Sequence, residues 1–280
     1  MKQPFKYIYG FVGLWIVASL LGASSVEARR HHRPRYTGLS ARAAILADAD
    51  GQPRYFAKNI FGRVLPASTT KVMTALLVLE RLSLDADVAV SERATSVQPS
   101  KINLRPGEHY KVKDLLFALL LNSANDASVA LAEAVSGTEG DFVRLMNERC
   151  RQLGAVNTRF ANSHGLPSPA GTQYTTAYDM FLIFREALKK YPFDIIIKYR
   201  YKTIYSAEGR KILLRSHNKI LFNEWERKVY GKTGYTRSAK QCFIGMVPKG
   251  EKILIIGVFG CSARWNDIKY LVSRYGKVSL

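Results

Sequence analysis

The chain has 280 residues, 47% of them hydrophobic, and sets 42 Lys and Arg against 22 Asp and Glu for a net charge of +20. That apolar fraction excludes a wholly disordered chain, and the length suits one catalytic unit, which can reach about 250 residues. The charge points to anionic partners, and the odd set Cys150, Cys242 and Cys261 leaves at least one free thiol.

The N-terminus reads as an export signal, residues 1–28: Lys2 and Lys6 give a basic start, Phe11 to Leu21 an apolar core, and Val26-Glu27-Ala28 a cleavage site after Ala28. An uncleaved anchor is the alternative, but the run is short of the roughly 20 residues that span a bilayer. No cysteine follows the apolar core, which excludes a lipoprotein anchor. Residues 29–36 form a basic, Pro-containing tail expected to be flexible, and His31 and His32 belong to it rather than to a metal site. No metal or other cofactor is expected. Export directs the charge, +19 once residues 1–28 are lost, toward acidic wall polymers or lipid head groups, with no nucleic acid partner.

Residues 37–280 are expected to form the catalytic domain. Ala43 to Asp48 and Tyr55 to Lys58 read as strands around an Asp50-Gly51 turn. Helical patterns dominate from Ser68 to Leu153, and a further helix runs from about Thr176 to Lys190 before Pro192. Strands return from Thr203, and Phe243 to Val247 and Ile253 to Phe259 form a hairpin turning at Pro248 to Glu251. Val247 opposite Lys252 then sets Cys242 opposite Gly257, about 13 Å short of Cys261 at strand rise, so no disulfide is expected. Ala263 to Tyr275 reads as a closing helix. Strands at both ends with helices between give an α/β (α+β) fold, an antiparallel sheet flanked by helices with an all-helical subdomain.

Three short motifs carry chemistry. Ser68-Thr69-Thr70-Lys71 opens the apolar run Val72 to Leu79, so Ser68 is expected at or near a helix N-cap with Lys71 one turn on and beside it. A lysine buried there loses solvation and favours its neutral form, which can take a proton from a serine hydroxyl. Ser123-Ala124-Asn125 interrupts two apolar stretches with cap-forming residues and reads as helix, tight break, helix. Lys232-Thr233-Gly234 sits in a strand-forming stretch, where Gly231 and Gly234 mark close approach of a ligand or another backbone. Singly, each has a bland reading: a capped core helix, a helix–turn–helix, an exposed edge strand. The chain even holds a decoy, since Ser216-His217-Asn218-Lys219 fits the first two patterns.

Taken together, the motifs resemble those of the serine D-Ala-D-Ala carboxypeptidases, the low-molecular-mass penicillin-binding proteins of β-lactamase/transpeptidase-like fold. The resemblance extends through Pro66 to Thr74, Asn122 to Ala127, Asn162-Ser163-His164-Gly165-Leu166 and Thr175 to Met180, and covers roughly residues 37 to 276. It implies that Ser68 attacks the penultimate D-alanine of a peptidoglycan stem peptide, Lys71 accepts its proton and Ser123 relays a proton to the leaving amine. Asn125 would hold the substrate amide, Lys232 and Thr233 the terminal carboxylate, and the N–H groups of Ser68 and Tyr235, the residue after Gly234, the oxyanion. Stem peptides are thus the expected substrates and β-lactams the inhibitors, with His164 structural. His217 stands where several relatives carry an arginine, and Ala124 where many have glycine. A class A β-lactamase would need a Glu-x-x-Leu-Asn segment, and Arg159-Phe160-Ala161-Asn162 is not one. The β-rich domain and amphipathic anchor of many relatives are not expected here, as in compact D,D-endopeptidases, which stay the nearest alternative. A non-catalytic wall-binding protein is the more distant one.

Overall fold

In the computed structural model the described residues are 38–168 and 171–280, so the export signal and basic tail read from residues 1–36 lie outside them. In chain order the elements are strands β1 (Ala43–Asp48) and β2 (Arg54–Lys58), helix α1 (Lys71–Arg81), β3 (Asp87–Ala89), α2 (Glu92–Thr95), β4 (His109–Lys111) and α3 (Val112–Phe117). There follow α4 (Asn125–Ser136), α5 (Glu139–Gln152), α6 (Ala177–Leu188), α7 (Phe193–Ile196), β5 (Tyr201–Tyr205) and β6 (Lys211–Arg215). The chain closes with β7 (Tyr230–Thr236), β8 (Lys240–Lys249), β9 (Lys252–Cys261) and α8 (Arg264–Arg274).

One antiparallel sheet, ordered β2-β1-β9-β8-β7, organises the molecule. Every residue of β1 is buried because both faces of the sheet are covered. Ala43, Ile45 and Ala47 face a core shared with α1, α4 and α6, while Ala44 and Leu46 face Ile268, Leu271 and Val272 of α8. Each large apolar side chain so buried contributes about 1.5–3 kcal/mol. The helical subdomain packs by the same rule: Phe142, Met146 and Cys150 recur every four residues and form the buried stripe of α5. Thr138 and Thr176 cap α5 and α6 by accepting from the N–H groups of Asp141 and Asp179.

Three expectations need correction. The subdomain is not all-helical: it holds the antiparallel strand pairs β3–β4 and β5–β6. The first has only Val88 and Tyr110 facing inward, too short a pattern to read as alternation. Ser68 does not cap a helix; it lies inside a 3-10 turn, Ala67–Thr70, that feeds α1. The β8–β9 hairpin turns later than expected, pairing Lys249 with Lys252, and a bulge after Gln241 sets that residue opposite Cys261. Cys242 is therefore one residue from Cys261 in register, not four. The two thiols nevertheless belong to cores on opposite faces of the sheet, and all three cysteines are free and buried.

Residues 162–166 are pinned under α1. The Ser163 carbonyl accepts from Thr74 and Ser128 hydroxyls at 2.5 and 2.9 Å. Gly165 has φ +92°, and a β-carbon there would overlap the Ala67 carbonyl oxygen. Gly165→Ala is expected to cost about 2–4 kcal/mol, read as a lower urea midpoint with an unchanged slope.

Candidate active site

Ala67 and Ser123 both adopt left-handed backbone, with φ of 47° and 59°. These are sparsely populated conformations for residues with a β-carbon, and they present the two motif serines to one cleft. The chain reaches Ser123 through a widened turn, Ala118–Asn122, in which the helix gains an extra residue per turn before α4 begins.

Lys71 is fully buried, and its ammonium meets three acceptors: Ser68 Oγ at 3.2 Å, Asn125 Oδ1 at 2.7 Å and the His164 carbonyl at 2.9 Å. No carboxylate touches it. Burial, then the charge of Lys232, holds its pKa well below the usual lysine range, against a weaker pull from Asp126. A neutral amine beside a hydroxyl can act as its base. Lys232 is equally buried; it donates to Ser123 Oγ at 2.8 Å and to the Thr233 carbonyl at 2.9 Å. Burial and then Arg264 bring its pKa down to about 7. Asn125 turns its Nδ2 to the Gln98 carbonyl at 2.7 Å, so both ends of its amide are engaged, and the expected hold on a substrate amide would need one bond to be given up.

These groups face a cleft of about 250 Å³ lined by Ser68, Ser123, Asn125, Thr233, Gly234 and Tyr235, with Leu166, His217 and Arg264. Gly234 belongs to β7, which ends the sheet. A β-carbon on it would come 3.1 Å from Ser68 N, so glycine lets the strand lie against the nucleophile turn just before Tyr235. The opposite wall, Pro99 to Leu104, is held by Asp126, which accepts from the N–H groups of Ile102 and Leu104 at 3.0 and 3.1 Å.

Sequence reasoning missed Arg264. It opens α8, where the helix dipole disfavours a cation, and that breach of local preference was the available signal. Its Nη1 donates to the carbonyls of Gly234 and Cys242 at 3.0 and 2.8 Å, and its buried Nε has no partner among the described residues. His217 lines the same end, held neutral with its pKa down to about 4 by burial and then by Lys232, Lys71 and Arg264. His164 accepts the Leu166 N–H at Nδ1, and burial takes its pKa down to about 3, so its part is to offer a carbonyl to Lys71 and shape the turn. The decoy is a structural turn: Asn218 accepts from the Ile220 N–H and donates to the Val229 carbonyl.

The sequence profile of the D-alanyl-D-alanine carboxypeptidase family matches residues 28–263. This chain belongs to that family. It is 38% identical to the carboxypeptidase DacF of Bacillus subtilis over 79% of its own length and 58% of that relative's, so it spans well under two thirds of it. A carboxypeptidase structure from Mycobacterium tuberculosis superposes with a TM-score of 0.79 at 30% identity, covering 86% of this chain and 92% of that one. A DD-transpeptidase structure from Streptomyces also gives 0.79, at 26% identity over 86% and 99%.

Lys232 makes stability depend on pH. In the unfolded chain a lysine stays charged to about pH 10.4, whereas in the fold Lys232 is neutral above about 7. Between these values the unfolded state binds more protons, so stability rises with pH. Lys232→Met is expected to flatten that rise by up to about 1.4 kcal/mol per pH unit, measured by urea unfolding at pH 7, 8 and 9.

Proposed function

We propose that the protein is a serine-type D-Ala-D-Ala carboxypeptidase that trims the terminal D-alanine from peptidoglycan stem pentapeptides and is inhibited by penicillin. The observation that carries this reading is the buried, carboxylate-free Lys71 within 3.2 Å of Ser68 Oγ. Ser68 Oγ attacks the penultimate D-alanine carbonyl as its proton passes to Lys71 Nζ. The oxyanion is met by the N–H groups of Ser68 and Tyr235, and a donor in such a site contributes about 3–4 kcal/mol. The C–N bond then breaks, and the departing amine takes a proton through the Ser123 hydroxyl, which Lys232 orients from behind. Water hydrolyses the ester.

Substrate selection follows from charge. The groups around the cleft include Arg264, Lys71 and Lys232, and no Asp or Glu lines it. A terminal carboxylate is attracted there, with the Thr233 hydroxyl and Arg264 as its contacts, while the buried Lys232 acts through Ser123 and the local field. Asn125 is a positioning residue that holds Lys71 between Ser68 and His164. The missing acid also separates this site from a β-lactamase: with no carboxylate beside the ester to activate water, the penicilloyl-enzyme persists.

Stem peptides lie outside the cytoplasmic membrane, so the reading takes residues 1–28 as the export signal, removed after Ala28, and residues 29–36 as a basic tail toward the anionic wall or membrane surface. Among the described residues no helix is long and apolar enough to cross a membrane.

Two measurements test this. Penicillin is expected to add one covalent mass to Ser68, absent in Ser68→Ala, and pentapeptide is expected to lose one D-alanine; loss of cross-linked dimers instead would make the enzyme a D,D-endopeptidase, and inertness toward both would overturn a hydrolase. Arg264→Ala is expected to raise KM for a D-Ala-D-Ala peptide about tenfold, the range for a lost charge-assisted contact, and to erase discrimination against the C-terminal methyl ester.

A further inference from the structure

Away from the serine, three exposed arginines share one cleft. Arg42, Arg63 and Arg159 line a cleft of about 400 Å³ together with Tyr174, Thr172 and Ser238, and no Asp or Glu lines it. Among the described residues none of the three has an ion pair or side-chain hydrogen bond, and Arg63 stacks 4.2 Å over the Tyr174 ring. Elsewhere the chain pairs arginines readily, as in Arg149 with Glu80 and Arg210 with Glu108.

The cluster is built rather than incidental. Paired backbone bonds tie Arg159 to Tyr174 at 2.8 and 3.0 Å, and Val64 to Thr175 at 2.8 and 2.9 Å, which fixes the segments carrying Arg63 and Arg159 beside each other. The Arg42 N–H is fixed to the Phe259 carbonyl at 2.9 Å, and its stem lies where a β-carbon on Gly260 would stand. A cleft lined by three arginines and no acid attracts an anion.

The cleft also lies along a route from the nucleophile. A second cavity, about 200 Å³, shares Leu65, Thr172 and Ser238 with it and is walled by Ala67, Pro167 and Thr236. Those three are the chain neighbours of Ser68, Leu166 and Tyr235, which line the serine cleft. This cavity therefore adjoins the arginine cleft on one side and the serine cleft on the other.

We propose that Arg42, Arg63 and Arg159 form a subsite for a carboxylate on the acyl side of the stem peptide, which rests on the peptidase reading above. Two carboxylates have that chemistry: the α-carboxylate of a γ-linked D-glutamyl residue, and a free carboxylate on the diamino acid. Guanidinium forks suit either one.

The test compares pentapeptides in which each carboxylate is amidated singly, then both. The wild-type protein is expected to favour one acid form over its amide by at least about fivefold in kcat/KM, the upper range for a solvent-exposed ion pair, and which amide loses the preference names the carboxylate. Arg63→Gln/Arg159→Gln is expected to remove the preference, with penicillin acylation reporting that the variant is folded. Equal rates on acid and amide in the wild type, or a preference that survives in the double variant, would overturn the subsite. Failure of the peptidase reading shows separately, as no penicillin adduct and no hydrolysis of any peptide. In that case calorimetric titration of the same peptides decides the subsite by the same acid-over-amide criterion.

Discussion

Two buried ammonium groups with no carboxylate in contact are the constraint on which the rest of this site depends. Removing one such group from water costs several kcal/mol. The fold meets that cost for Lys71 by drawing one acceptor each from the nucleophile turn, the start of α4 and the segment at His164. The solvation shell of Lys71 is thus the frame of the site. Lys232 joins the sheet to the helical subdomain in the same way, through the Ser123 hydroxyl. An acid in contact with either lysine would stabilise its ammonium form and raise its pKa. Asp126 is held off this role because its oxygens are spent on the N–H groups of Ile102, Leu104 and Ala127.

Left-handed backbone occurs where these pieces meet. Ala67, Ser123 and Gly165 all have positive φ, and all three lie within the motif segments. Gly165 and Gly234 each leave room for the backbone around Ser68, one from below and one from the sheet. Strain of this kind persists only where the surroundings over-determine it. The hydrogen bonds that fix residues 162–166 and the Pro99–Leu104 wall supply that determination.

Much of this was legible in the sequence, for identifiable reasons. Ser68 and Lys71 are three residues apart on a helical turn, a spacing that survives even though the turn is 3-10 and Ser68 caps nothing. The break at Ser123 announced itself through Asn122, Asn125 and Asp126, residues that favour caps. What was not legible depended on tertiary placement. Arg264 reaches the cleft only because α8 packs against the sheet beside β7, and Gln98 matters only because its carbonyl meets Asn125. The cysteine register failed on a turn placed two residues too early and on a bulge after Gln241, which no local pattern records. The decoy at Ser216 was resolved by where its side chains point, a property that no motif contains.

The position of β7 has a consequence of a different kind. It is the last strand of its sheet, and the serine cleft opens beside it. An unpaired strand flank invites self-association, and burying it under another element would close the enzyme. Solubility therefore rests on charge, with Arg237 and Lys240 exposed at the end of the strand and a net charge of +20 over the chain that sets one copy against the next. Like charge thus guards the open flank against its own kind, and salt that screens the charge weakens that guard.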